Sequence, residues 1–203
     1  MKFEPTFGNS LSGLWPRFCI RTGMNRIFTY PVAMLSAALA LFSPASASQA
    51  AYTSATPPTS GPTVPGDKAS LDRRTGIAYA PENAPECVKR AIWATNFLRT
   101  KPYVWGGGHE SFYVNGYDCS GTVSFLLHHA GLISSPVVSK EFTGYGANGK
   151  GRWITIYAKD GHVFAVVAGL RLDTSGLGGE DGPRWRLNGR PAWGFTARHP
   201  DGL

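Results

Sequence analysis

The sequence has few charged residues, few cysteines and no long uninterrupted apolar run. Charged residues make up 16% of its 203 positions, well below the usual quarter, which argues against a coiled coil, a long helical bundle and an acidic disordered regulator. It contains no internal repeat and no block of five or six like charges, so we expect no nucleic-acid partner. It does contain 25 glycines, 15 prolines and 42% hydrophobic residues. This composition is typical of one turn-rich globular domain with an unstructured extension.

Residues 1–47 have the features of an export signal. Three arginines precede an apolar stretch over 27–42, and the small residues of Ser-Pro-Ala-Ser-Ala follow it at 43–47, as a signal peptidase requires. The stretch is too short and too interrupted for a transmembrane helix. We therefore predict cleavage after Ala47, a secreted or periplasmic protein and no stable membrane anchor. Met24 is an alternative start. Residues 1–47 carry four cations and one acid, so their removal lowers the formal charge from +7 to +4.

The first half of the remaining chain predicts a linker followed by two helices. Residues 48–84 are rich in Pro, Ser, Thr and Gly, which predicts a flexible linker before a domain over 85–203. Apolar residues at helical spacing over 86–100, with Pro85 at the start, predict the first helix. A glycine- and aromatic-rich loop over 101–117 then leads to Asp118, which we expect to cap a second helix over 120–130.

The last third of the chain changes to short β-branched and aromatic runs. They predict strands at 153–158, 162–168 and 170–174, separated by tight turns, and a final edge strand at 193–197. Residues 144–151 and 176–192 are interpreted as loops. Two helices followed by a meander indicate an α+β domain, with the helices packed on a short antiparallel sheet.

Two residues carry the strongest chemical signal. Cys119 stands at the first turn of a predicted helix, directly after the glycine-rich loop, where unpaired N–H groups and the helix dipole favour a thiolate. His162 begins a predicted strand after a tight turn. A cysteine and a histidine so placed can form a thiolate–imidazolium pair. An exported protein could instead use its cysteines for a disulfide, but we expect both Cys87 and Cys119 to be free thiols.

His109 is the other histidine near this signal. His109-Glu110 lacks the second histidine that a zinc peptidase helix needs, so we predict that no metal is bound. A histidine in this loop could line a cleft. We interpret His109 as a solvated loop residue instead.

Residues 101–121 (KPYVWGGGHESFYVNGYDCSG) and 161–169 (GHVFAVVAG) resemble the NlpC-type cysteine peptidases of bacterial cell walls, a papain-like family. The family pattern is a Tyr-x-Trp-Gly-Gly loop, then Asp-Cys-Ser-Gly at a helix start and Gly-His-Val on a strand some 40 residues later. The resemblance covers roughly residues 85–200. The segment 182–186 (GPRWR) and the end at 198–203 lie outside the pattern.

The resemblance implies a role for each matching residue. Cys119 would be the nucleophile and His162 the general base and later acid. The third residue, which orients the imidazole, belongs on the following strand, where Asp173 is the first choice and Thr174 the second. Residues assigned to substrate binding are Tyr103, Trp105, Asp118 and Ser120. Among these, Tyr103 would lie beside the nucleophile, and Asp118 would contact the free amine of a stem peptide.

The function that the resemblance implies is hydrolysis of amide bonds in peptidoglycan stem peptides, typically the D-glutamyl–diamino acid bond. Its partner would be peptidoglycan or muropeptides at the cell wall, and we expect a monomer that uses no cofactor. Two alternatives stay open at this point. An N-acetylmuramyl-L-alanine amidase or an acyltransferase could use the same fold and thiol. A non-catalytic wall-binding protein could keep the scaffold alone, although the joint presence of Cys119, His162 and a polar third residue disfavours it.

Overall fold

A computed structural model describes residues 56–176, 182–187 and 189–203. The predicted signal peptide at 1–47, its cleavage site, the alternative start at Met24 and the beginning of the predicted linker lie outside these residues. Helix α1 spans Glu86–Thr95 and continues as a 3-10 turn over Asn96–Thr100, which confirms the predicted helix over 86–100. Helix α2 spans Cys119–His129 with Asp118 at its N-cap, as predicted.

Nine strands form two sheets in the described part of the chain. The strands are β1 Thr63–Val64, β2 Ser70–Asp72, β3 Ile77–Pro81, β4 Ala147–Asn148, β5 Ile154–Lys159, β6 His162–Val167, β7 Leu170–Asp173, β8 Arg184–Arg186 and β9 Thr196–His199. The small sheet has the order β1-β3-β2, and the large one has the order β4-β9-β5-β6-β7-β8. All neighbours in the large sheet are antiparallel. Two helices with these sheets confirm the mixed helix and sheet class.

Two segments that were interpreted as loops contribute strands to the large sheet. β4 lies within 144–151 and β8 within 176–192, and neither exceeds three residues, which is too short for a period to be visible in the sequence. The predicted edge strand at 193–197 is also corrected. β9 begins at Thr196 and is an inner strand, because it pairs with β4 on one side and with β5 on the other.

The predicted linker over 48–84 is too long. Residues 63–81 form the small sheet, and Ile77, Ala78 and Ala80 of β3 are buried. The side chain of Asn96 fixes β3 against the end of α1, since its amide accepts from Ala78 N at 2.8 Å and donates to Ala78 O at 2.9 Å. β1 and β2 have only two and three residues, so the sequence shows no period there, and tertiary contacts stabilise their pairing with β3.

The β6–β7 hairpin sets the face on which functional side chains stand. Its turn residues, Ala168 and Gly169, both have positive φ, 47° and 93°, as in the two-residue turns that match strand twist. The register pairs Ala165 with Leu172 and Val167 with Leu170. Because side chains alternate along a strand, this register puts His162 and Asp173 on the same face of the sheet, as diagonal neighbours.

One continuous core joins the helices to the sheets. Val123, Leu126 and Leu127 of α2 are buried in a cluster with Ile156 of β5 and Val163 of β6. This packing holds the N-terminus of α2 close to the start of β6. None of the helices within the described residues is both long and apolar enough to cross a membrane.

Candidate active site

The first turn of α2 presents Cys119 behind a capped helix start. The Asp118 carboxylate accepts a hydrogen bond from Gly121 N at 2.8 Å and so satisfies one of the free donors of the first turn. Cys119 is 7% exposed. The thiol therefore lies in a nearly closed position at the positive end of the helix dipole.

A backbone contact fixes the loop before this turn. A Cβ added at Gly121 would lie 2.1 Å from the carbonyl oxygen of Gly107, so no side chain fits there. Asp118 N also donates to Gly107 O at 3.1 Å. Gly107 and Gly121 thus allow the backbone of the loop to contact the backbone of the helix start beside Cys119.

His162 joins two of the predicted residues. Its Nε2 lies 3.1 Å from Asp173 Oδ1, and the Cys119 side chain is near enough to help raise the pKa of the His162 ring. Since Nε2 faces Asp173, the ring nitrogen that remains for the thiol is Nδ1. Burial alone would lower the pKa of His162, but its interactions with Asp173 and Cys119 outweigh this effect and raise the pKa to about 9.

Asp173 is a buried carboxylate that stays ionised. Asp173 is 1% exposed, and burial alone would raise the pKa of its carboxyl group. Hydrogen bonds from His162, from the backbone of Ser175 and from Arg190 overcome this effect and lower the pKa to about 2. The neighbouring candidate, Thr174, is buried as well but is the next residue along the strand, where side chains face the other side of the sheet. The register therefore favours Asp173 as the partner of His162.

Arg190 is a residue of this site that the sequence did not reveal. Its Nη1 lies 2.8 Å from Asp173 Oδ2 and 3.0 Å from His162 Nε2. A guanidinium only donates hydrogen bonds, so Arg190 can donate to Nε2 only while that nitrogen carries no proton. When His162 is protonated, its Nε2–H donates to Asp173 Oδ1 and Arg190 donates to Oδ2. Its guanidinium also stacks on the rings of Phe164 and Phe195, at 5.2 and 5.5 Å. No motif marks Arg190, which comes from a Gly/Pro-rich segment 17 residues after Asp173.

The Asp118 carboxylate has more partners than a helix cap requires. His109 Nε2 lies 2.7 Å from Oδ2 and 2.9 Å from Ser120 Oγ, while the Ser120 hydroxyl donates to Oδ1 at 3.0 Å. Gly106 N donates to Oδ2 at 3.2 Å. His109 is thus not the solvated loop residue that we expected, because the loop glycines bring its ring onto the carboxylate. The proposed substrate contacts of Asp118 and Ser120 remain predictions.

The two aromatic residues assigned to substrate binding lie on the loop before α2. Tyr103 forms a bridge with Tyr117, the residue that precedes Asp118, and is 40% exposed. Trp105 is 87% exposed. Both side chains are therefore available to a ligand, and their roles remain predictions.

The two cysteines of the domain differ in state. Cys87 is disulfide-bonded, so the prediction of a free thiol there is wrong. Cys119 is the free cysteine of the described residues. Within the same residues no group of three His, Cys, Asp or Glu side chains could hold a metal ion.

Comparisons with known proteins show structural similarity but no sequence match. No family profile matches the chain, and no curated protein matches it. Among solved structures, the chain is similar to RipB, a peptidoglycan hydrolase of Mycobacterium tuberculosis, with 21% identity and a TM-score of 0.45. The alignment covers 64% of this chain and 68% of RipB.

Proposed function

We propose that the protein is a secreted, wall-associated cysteine peptidase that hydrolyses amide bonds in peptidoglycan stem peptides. The observation that carries the proposal is the hydrogen bond of His162 to the buried carboxylate of Asp173, 3.1 Å long, with Cys119 at a helix N-terminus near enough to raise the pKa of the same ring. The Tyr-x-Trp-Gly-Gly and Asp-Cys-Ser-Gly motifs, which resemble wall peptidases with a papain-like arrangement, supply the substrate class. The D-glutamyl–diamino acid bond is the bond that this resemblance implies.

The proposed reaction has two steps. The Cys119 thiolate attacks the carbonyl carbon of the scissile amide, and a C–S bond forms. His162 then gives its proton to the leaving nitrogen as the C–N bond breaks, which leaves a thioester. In the second step, His162 takes a proton from water and the hydroxide attacks the thioester carbonyl. The C–S bond then breaks, which releases the new carboxylic acid and restores the Cys119 thiolate beside a protonated His162.

Asp173 serves as the orienting residue in this proposal. Its Oδ1 accepts the Nε2–H of His162 at 3.1 Å and so keeps Nδ1 directed at the thiol. Its negative charge stabilises the imidazolium that the first step needs. The Cys119 N–H, with the Tyr103 hydroxyl, is the proposed donor set for the oxyanion.

Digestion of purified sacculi tests the proposal. The mature protein should release fragments that carry new free amines on the diamino acid, which mass spectrometry detects, and Cys119→Ala should release none. Glycan with free lactyl carboxylates, together with peptides that begin with a free L-alanine amine, would indicate an amidase instead. No product from the native protein, together with retained binding to sacculi, would indicate a wall-binding protein.

A further inference from the structure

A cavity lined by arginines lies next to the candidate active site. A cavity of about 600 Å³ opens beside β7 and β8, large enough for a segment of a ligand rather than a single ion. Its lining includes five arginines, which are Arg73, Arg171, Arg184, Arg186 and Arg190. No described residue of the lining is acidic. The sequence segment that supplies two of these arginines, at 182–186, has no counterpart in the wall-peptidase pattern.

The strand register places like charges directly opposite each other. Arg171 of β7 pairs with Arg186 of β8, so two cations stand directly opposite each other in the sheet, which is an unfavourable pairing. Arg171 is 8% exposed, and its Nε makes no hydrogen bond. This Nε lies 3.6 Å from Asp173 Oδ2, an oxygen that it shares with Arg190. Burial lowers the pKa of Arg171, and Arg186 and Arg190 lower it further against the opposing effect of Asp173. A bound anion would relieve this repulsion.

The cavity is joined to the candidate active site through Arg190 and Ser175. Both residues line the cavity, and both contact His162 Nε2, at 3.0 and 3.4 Å. The cavity thus lies on the Nε2 side of the imidazole, while the thiol lies on the Nδ1 side. A ligand that fills the cavity can therefore belong to the same molecule whose amide is at the thiol.

We propose that this arginine-lined cavity is an anion-binding subsite that takes a carboxylate of the substrate peptide. Guanidinium groups bind carboxylate and phosphate oxygens in the same two-pronged geometry. Arg190 lines the cavity and also contacts His162, so the anion in the cavity must lie close to the scissile bond. Stem peptides bear free carboxylates at such positions, and a carboxylate is therefore favoured over a phosphate polymer. The assignment to a peptide rests on the proposed function, whereas the anion site itself does not.

Calorimetric titration of Cys119→Ala with inorganic phosphate tests the anion site without any turnover. We expect Arg186→Gln, added to this background, to weaken phosphate binding by about tenfold, and Arg73→Gln by several-fold, on the order expected for a charge-assisted contact. Arg74→Gln is the matched control, since it removes the same charge one residue away from a cavity-lining arginine, and binding should stay within about twofold. Absence of phosphate binding, or equal losses in Arg73→Gln and Arg74→Gln, would overturn the anion site.

A second titration tests the ligand. A soluble muropeptide with free carboxylates should bind Cys119→Ala about tenfold more tightly than the same muropeptide with amidated carboxylates, and Arg186→Gln should remove this difference. Equal binding of the two muropeptides would overturn the carboxylate assignment. If phosphate binds in an Arg73-dependent manner while neither muropeptide binds, the anion site stands and the proposed wall-peptide function fails.

Discussion

Arg190 Nη1 lies 2.8 Å from Oδ2 of Asp173, while the other oxygen of the same carboxylate lies 3.1 Å from His162 Nε2. The buried carboxylate of Asp173 therefore stabilises the positive charges of both His162 and Arg190, and Arg171 lies 3.6 Å from it as a third cation. Each cation weakens the electrostatic stabilisation that the others receive from Asp173. The charge balance around His162 thus depends on Arg190 as well as on Asp173. This relationship leads to a prediction that distinguishes an electrostatic role of Arg190 from a merely structural one.

Arg190→Gln should move the basic limb of the kcat/KM profile above pH 9. The substitution removes a positive charge 3.0 Å from Nε2, so the imidazolium persists to higher pH, by about one pH unit. A pH–rate profile from 5 to 11 measures the shift, and Arg152→Gln, an exposed site elsewhere, is the control. A limb that moves to lower pH would mean that Arg190 acts chiefly by holding Asp173 in place.

Asp173→Asn should lower kcat/KM by about 10- to 1,000-fold, less than the loss caused by Cys119→Ala or His162→Ala. An amide gives His162 no negative partner, so the pKa of His162 falls and the basic limb moves to lower pH. Thr174→Val is the matched control on the next residue of the chain and should retain activity within about twofold. The opposite pattern, in which Thr174→Val is damaging and Asp173→Asn silent, would refute the strand register described above.

The stability of Cys119→Ala should fall as the pH rises above about 6.5, whereas the stability of the native protein should change little up to about pH 8.5. His162 has a pKa of about 9 in the folded native chain and an ordinary value of 6.5, so the folded state keeps a proton that the unfolded state loses, and this difference lowers the free energy of unfolding by about 1.4 kcal/mol per pH unit. The proposed Cys119 thiolate cancels this slope, because below about pH 8.5 the unfolded thiol keeps a proton that the folded thiolate lacks. In Cys119→Ala only the slope from His162 is left. Urea denaturation at several pH values measures both slopes, and Cys119→Ala is the background for the variant that follows.

His162→Asn should remove this slope, and the difference between the two proteins isolates it from other groups. His129 does not interfere, because burial lowers its pKa to about 4, below the interval. A slope that persists unchanged in His162→Asn would show that His162 is not protonated in the folded protein at neutral pH.

Gly121→Ala should damage both the fold and the activity. The new methyl group would meet the Gly107 carbonyl oxygen at 2.1 Å, and because the obstacle is backbone, the loop must move away from the first turn of α2. We expect a loss of about 1–3 kcal/mol in the free energy of unfolding and a larger loss in kcat/KM. Gly144→Ala, where no atom lies within 4 Å of the added Cβ, is the control and should be nearly neutral.

Those parts of the site that rest on local sequence could be predicted, and those that rest on distant contacts could not. Cys119 follows from a helix cap and a glycine loop, and His162 and Asp173 follow from a hairpin with an easily recognised turn. Arg190 and the arginine pair across β7 and β8 depend on a three-residue strand, which is too short to show a period. The same reason applies to β1 and β2, which have two and three residues.

β9 has a consequence for how the chain folds. It is the last strand along the sequence, yet it lies between β4 and β5, and β4 pairs with no other strand of the described residues. A growing polypeptide that has emerged from the ribosome only as far as residue 195 can form the β5–β6–β7 hairpins, but it cannot attach β4. Completion of this sheet is therefore a late event of biosynthesis, after both helices and the other strands have been made.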